Sequence, residues 1–66
     1  MNQPKMTAKN LELLKEQLGA EELAYRKAVS FEGTFTDPAL KNLAHETAQH
    51  HKQHFDALTN YLCSHC

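Results

Sequence analysis

The chain has 66 residues and a formal net charge of −1, with its basic residues scattered among acidic ones. This length allows one domain at most, and two short helices alone would bury too small a core, so we expect self-association. The even charge distribution does not indicate a nucleic-acid or anionic-membrane partner, and no apolar run approaches the roughly 20 residues that span a bilayer.

The N-terminal segment is polar and lacks the apolar centre of a secretory signal, so a soluble, cytoplasmic protein is the default expectation. Thr7 is a candidate N-cap, and Gly33 fits the position just after a helix. Asp37 followed by Pro38 is typical of a second N-cap and first helical position. The pattern predicts helix 1 at about 8–32, a turn at 33–37, helix 2 at about 38–62 and a tail at 63–66.

Apolar residues recur at helical spacing in both segments, which predicts an all-α fold. The short connection makes the two helices an antiparallel hairpin. Extra apolar residues on helix 1 have no partner inside a hairpin, which favours a homodimeric four-helix bundle or a higher oligomer. The predicted stripes are Leu11, Leu14, Leu18, Tyr25 and Val29, and Leu40, Leu43, Ala44, Leu58, Tyr61 and Leu62; the extra residues are Leu13, Ala20, Leu23 and Phe31.

Polar residues interrupt these stripes. At about 100° per residue, Glu22 lies near the centre of the first stripe, and His51 and His54 lie near the centre of the second. His50 flanks the second stripe. One carboxylate and two imidazoles would converge inside the bundle, and a two-fold dimer would double this to two glutamates and four histidines. Such a mixed site suits Zn, Fe, Mn or Cu. The alternatives are an ion pair without metal, or a Glu22 that reaches solvent.

Two segments, AEELAYRKA and DPALKNLAHETAQHHKQHFDAL, resemble the ferritin-like superfamily, especially rubrerythrin-type domains and spore-coat F-type proteins. That family projects a glutamate from one helix and Glu-x-x-His from the next into a bundle. Asp37, Pro38, Leu40, His54 and Leu58 fit the layout of its second helix. The resemblance implies a ferritin-like four-helix bundle, a glutamate ligand at Glu22 or, in a register shifted by one, at Glu21, and an association with spores.

The chain departs from this family at His51, which stands where the family has the glutamate of Glu-x-x-His. The loss of a bridging carboxylate argues against an oxygen-activating di-iron centre and favours mononuclear or zinc-like binding, or none.

The C-terminal sequence CSHC offers Cys63, His65 and Cys66 as further zinc ligands, although a structural site needs four. The alternative is a frayed tail with exposed thiols. A redox role is disfavoured because the motif follows a helix C-terminus, where the dipole does not lower a thiol pKa.

Two other functions compete with metal binding. One is a structural, coat or scaffold protein whose histidines only pack and form hydrogen bonds. The other is a pH-responsive assembly, in which semi-buried histidines resist protonation while the glutamate favours it. An enzyme has little support, because the sequence shows no nucleophile–base pair and no glycine-rich phosphate loop.

Overall fold

The computed structural model describes the backbone of residues 7–65 and the side chains of residues 7–64. Within these residues the chain forms two helices, α1 (Ala8–Thr34) and α2 (Pro38–His65), and no strand. The helices pack side by side in opposite directions, as residues near the end of α1 contact residues near the start of α2. The predicted all-helical hairpin is confirmed.

Both helices begin at the predicted caps. The Thr7 side chain accepts a hydrogen bond from the backbone N–H of Asn10 at 3.1 Å. The Asp37 carboxylate accepts from the N–H groups of Ala39 and Leu40, at 2.8 and 3.3 Å. These acceptors satisfy N–H groups that have no partner within the helix.

Both helices end later than predicted. Gly33 lies inside α1 with no positive φ, so it does not serve as the left-handed residue expected after the helix. Helix α1 ends where Phe35 becomes extended and donates its N–H to the carbonyl of Phe31, at 2.8 Å. Helix α2 continues to His65, because the residues after Leu62 include no helix breaker. The first residues of the expected tail are therefore helical.

The seam between the helices follows a seven-residue repeat that includes most residues of the predicted stripes but is rotated towards small and polar side chains. Its most buried side chains are small or polar. Among the described residues, no large side chain is fully buried. Spacings alternate between three and four residues, which is the period that keeps two nearly parallel helices in contact. The seam residues are Leu11, Leu14, Leu18, Glu21, Tyr25 and Ala28 on α1, and Ala44, Ala48, His51, Phe55, Leu58 and Leu62 on α2.

Three alanines let the helices approach closely, since Ala28, Ala44 and Ala48 are the buried apolar residues of the described chain. Val29, Leu40, Leu43 and Tyr61 were predicted to face the seam, but all four are exposed. The described chain consists of two helices side by side, and no third element covers either side of the pair. The hairpin is therefore a single layer with two open broad faces.

Candidate metal centre

Three side chains meet halfway along the seam: Glu21 from α1, and His51 and His54 from α2. Each can offer one ligand atom such that all three atoms lie within 4.8 Å of one another. The histidines are three residues apart, so one turn of α2 places both rings on the side that faces α1. Two elements far apart in sequence thus supply one compact group.

The Glu21 carboxylate is the centre of the group. Its Oε1 lies 2.5 Å from Nδ1 of His51, and its Oε2 lies 3.5 Å from Nδ1 of His54. Exposure rises outward from the seam: 10% for the side chain of Glu21, 29% for His51 and 60% for His54. The carboxylate is thus held inside, while the outer imidazole retains freedom to move.

Gln17 completes the surroundings of the carboxylate. Its Nε2 donates a hydrogen bond of 2.9 Å to Oε2 of Glu21, one helical turn away. This contact orients the carboxylate from its own helix while His51 holds it from the other. Outer contacts of this kind commonly fix the geometry of metal ligands. The sequence analysis missed Gln17, although the spacing of four residues from Glu21 was the available signal.

These contacts keep Glu21 ionised. The hydrogen bond with His51 lowers the pKa of Glu21 below its ordinary value of 4.5, and partial burial opposes this effect. The Gln17 hydrogen bond and the charges of His54 and His51 lower the pKa further. At neutral pH the group therefore presents an anionic carboxylate beside two imidazoles.

The structure corrects the position predicted for the glutamate. Glu22 points away from the seam, where its Oε1 forms an ion pair of 2.7 Å with Arg26 on the same helix. Adjacent helical residues differ by about 100° in direction, so only one of Glu21 and Glu22 can face α2. The predicted stripe ran through Val29, which put Glu22 near its centre, whereas the observed seam runs through Ala28 and so selects Glu21. The alternative prediction, a register shifted by one that places Glu21 at the site, agrees with the observed position.

Among the other candidate ligands, His50 and Cys63 lie outside the group. His50 is exposed and is not one of the three convergent residues. Cys63 is exposed in the last turns of α2. The side chain of His65 and the whole of Cys66 lie outside the described residues, so the zinc hypothesis for CSHC stays a prediction.

A second contact joins the helices near the turn, and the sequence analysis did not predict it. Nδ1 of His45 lies 3.2 Å from Oε1 of Glu32, and both side chains are partly exposed to solvent. The ammonium group of Lys41 also donates to the backbone carbonyl of Glu32, at 3.1 Å. These contacts fix the register of the helices and with it the meeting of Glu21 and His51.

The ligand set suits a transition metal. Zinc binds histidine nitrogens and carboxylate oxygens at about 2.0–2.2 Å, so tetrahedral ligand atoms lie roughly 3.4 Å apart. The three ligand atoms already lie within 4.8 Å of one another, so they need to move only slightly closer to bind one ion. Rotation of the exposed His54 ring can provide this movement. Two imidazoles and one carboxylate also suit iron, and three ligands leave at least one coordination position open.

Comparison of the chain with protein-family models, with curated proteins and with solved structures found no match. The class that the structure defines is thus an all-helical hairpin with a Glu/His group at its centre. In the part of the chain that is described, neither helix has a stretch long and apolar enough to cross a membrane.

Proposed function

We propose that this chain binds a transition-metal ion through Glu21, His51 and His54, inside a homodimeric four-helix bundle of the ferritin-like type. The observation that carries the proposal is the convergence of one carboxylate and two imidazoles within 4.8 Å, halfway along the seam. The sequence places these polar side chains where apolar ones would stabilise the hairpin better. Such a departure from packing rules is typical of a functional site.

The cost of burial supports the same proposal. A carboxylate that is removed from water destabilises a protein unless it is paired or coordinated. Glu21 is the one charged residue among the buried side chains of the described chain. A divalent ion would compensate its charge and use both imidazoles at once. Zinc, iron and manganese are the candidate ions, and His51 in place of a bridging carboxylate favours a single ion over a di-iron centre.

A structural or coat-like protein without metal is the second candidate. One observation favours it: His51 and Gln17 already satisfy both oxygens of Glu21 through hydrogen bonds. In that case the group would be a polar clamp that sets the helix register. The two candidates differ in whether His54, which is 3.5 Å from the carboxylate and mostly exposed, has any role.

The test compares zinc binding by three proteins in a background with Cys63→Ser and Cys66→Ser, which removes the competing thiols. The proteins are the parent, His54→Ala and His50→Ala, with affinity measured by competition against a chromophoric chelator. We expect parent and His50→Ala to bind equally and His54→Ala to bind at least about 100-fold more weakly, since even outer-shell partners contribute about 10–100-fold. Equal affinities for all three proteins, or no binding by the parent, would leave the structural candidate.

Native mass spectrometry of protein purified without tag or chelator identifies the ion. A dimer carrying one or two transition-metal ions supports the proposal. A metal-free dimer that also fails to take up added zinc, iron or manganese contradicts metal binding and leaves the coat-like role.

A further inference from the structure

The two broad faces of the hairpin differ in chemistry. One face has a groove that is rimmed by charged side chains of both signs, Glu22, Arg26, Lys52 and Asp56. The opposite face has an apolar groove near the turn, whose walls include Phe31, Phe35, Leu40 and Leu43. Charged side chains of both signs favour contact with water. The apolar groove has no such side chains, so its exposure to water is unfavourable.

Helical geometry extends the apolar groove along the whole hairpin. Residues that are 18 apart point in the same direction, and residues that are 7 or 11 apart differ by about 20°. Leu13 is therefore aligned with Phe31, and Tyr61 with Leu43. These positions hold apolar residues and, on α2, the imidazoles of His50 and His54, while Lys9 and Lys27 lie at the outer edge of the stripe on α1, about 20° from Ala20. We call this surface the open face, and define it by Leu13, Ala20, Ala24 and Phe31 on α1 and by Leu43, His50, His54 and Tyr61 on α2.

The metal group opens onto this same surface. His54, the most exposed member of the group, is one of the residues that define the open face. Gln17, which holds the carboxylate, is four residues from Leu13 and lies beside the same stripe on α1. The open coordination side of the group therefore points towards the apolar face rather than towards the charged one.

We propose that a second copy of this chain covers the open face by two-fold symmetry and closes over the Glu21–His51–His54 group. The inference rests on the homodimer of the proposed function and names the surface that forms it. A stable domain needs at least two packed layers, and the hairpin supplies only one. A face of 51 by 21 Å has an area on the order of 1000 Å², compared with about 800 Å² per partner in a standard interface.

The position of the group fits two-fold pairing. Helix α1 has 27 residues, so Glu21 has 13 before it and 13 after it, and His51 lies at the middle of the 28-residue α2. A two-fold axis at this level lets the two open faces overlap along their full length. A second copy is thus a partner of matching length and matching chemistry, as an isologous interface requires.

The first test compares Leu43→Glu with Leu23→Glu by sedimentation at rising protein concentration. Both leucines are exposed, at 60% and 55%, but Leu23 lies off the open face. We expect Leu43→Glu to weaken the dimer at least about 100-fold, because it buries two uncompensated charges related by symmetry. Leu23→Glu should dimerise like the parent. Equal dimerisation of both variants would overturn the inference.

The second test does not depend on a disruptive substitution. Ala20→Cys places a thiol on the open face and Arg26→Cys places one on the charged face, both in the Cys63→Ser, Cys66→Ser background. Alkylation of Ala20→Cys should slow at least about tenfold as the dimer forms, since its rate follows the fraction of the protein that is monomeric. The alkylation rate of Arg26→Cys should not change. Slowing of Arg26→Cys alone, or a monomer at all concentrations, overturns the inference.

Both tests are run with zinc and with a chelator, which separates this inference from metal binding. A metal-free dimer that protects Ala20→Cys from alkylation supports the open face as the dimer interface, even if the chain does not bind metal. A dimer that binds zinc but protects Arg26→Cys from alkylation shows that the charged face forms the interface. That result overturns the inference about the open face and leaves the proposed metal binding intact.

Discussion

Oε1 of Glu21 lies 2.5 Å from Nδ1 of His51, and this contact joins the midpoints of the two helices. A polar contact at the centre of a narrow seam fixes the register more strongly than apolar contacts do, because an alternative register leaves a buried carboxylate without a partner. The same contact assembles the ligand set, so the stability of the hairpin and the proposed metal site depend on the same residues.

The neighbouring glutamates provide the sharpest test of the observed register. We expect Glu21→Gln to lower zinc affinity at least about 100-fold, because a neutral amide replaces the anionic ligand. Glu22→Gln should bind like the parent, since this carboxylate pairs with Arg26 in solvent. Isothermal titration of both variants measures the difference. A larger loss for Glu22→Gln would mean that the first helix is rotated from its observed orientation.

Gln17 is expected to act on the metal through Glu21. Removal of its hydrogen bond in Gln17→Ala should weaken zinc binding by roughly 10-fold, the lower range for outer-shell partners. The control is Gln49→Ala, which removes an exposed amide of α2 away from the group. Competition with a chelator measures both affinities. If the two variants bind alike, the Gln17 contact does not orient the ligand.

Ala48 controls the distance between the helices at the level of the site. It is the most buried residue of the described chain, at 2% exposure, and it lies one turn before His51. Ala48→Leu should destabilise the fold by about 1–3 kcal/mol through overpacking, and should weaken zinc binding by moving His51 away from Glu21. Gln53→Leu is the control at an exposed position on the outer side of the same helix. Urea unfolding measures the loss of stability. If Ala48→Leu is as stable as the control, the close approach of the helices at Ala48 is contradicted.

The apo protein should lose stability in acid through Glu21. Its folded-state pKa lies below 4.5, so between that pKa and about 4.5 the unfolded chain binds more protons than the folded one. The stabilisation is therefore complete above about pH 5 and is lost as the pH falls through the folded-state pKa. Glu21→Gln should be less stable than the parent at pH 6, and the difference should shrink towards pH 3. Urea unfolding in the presence of chelator measures it, with the exposed Glu12→Gln as control; a constant difference across this range would contradict the assignment.

Local signals in the sequence predicted the hairpin well. Thr7 and the Asp37–Pro38 pair cap the helices by contacts within three residues, so no knowledge of the partner helix was needed. The helix ends were less well predicted, because glycine adopts helical as well as left-handed backbone angles, so Gly33 does not by itself mark the end of a helix. The histidine pair was predicted from its place on the apolar stripe of one helix and from its spacing of three residues, since both signals lie within α2.

The glutamate was harder to assign because its position depends on the axis of contact between two helices. Large apolar side chains suggested a stripe through Val29, and this choice selected Glu22. The true seam runs through alanines, whose small size lets the backbones approach and so rotates the contact towards Ala28 and Glu21. The sequence by itself determined two capped amphipathic helices and the residue types of the site. Only the tertiary structure decided which of two adjacent carboxylates meets the histidines, because that choice depends on how closely the two helices pack.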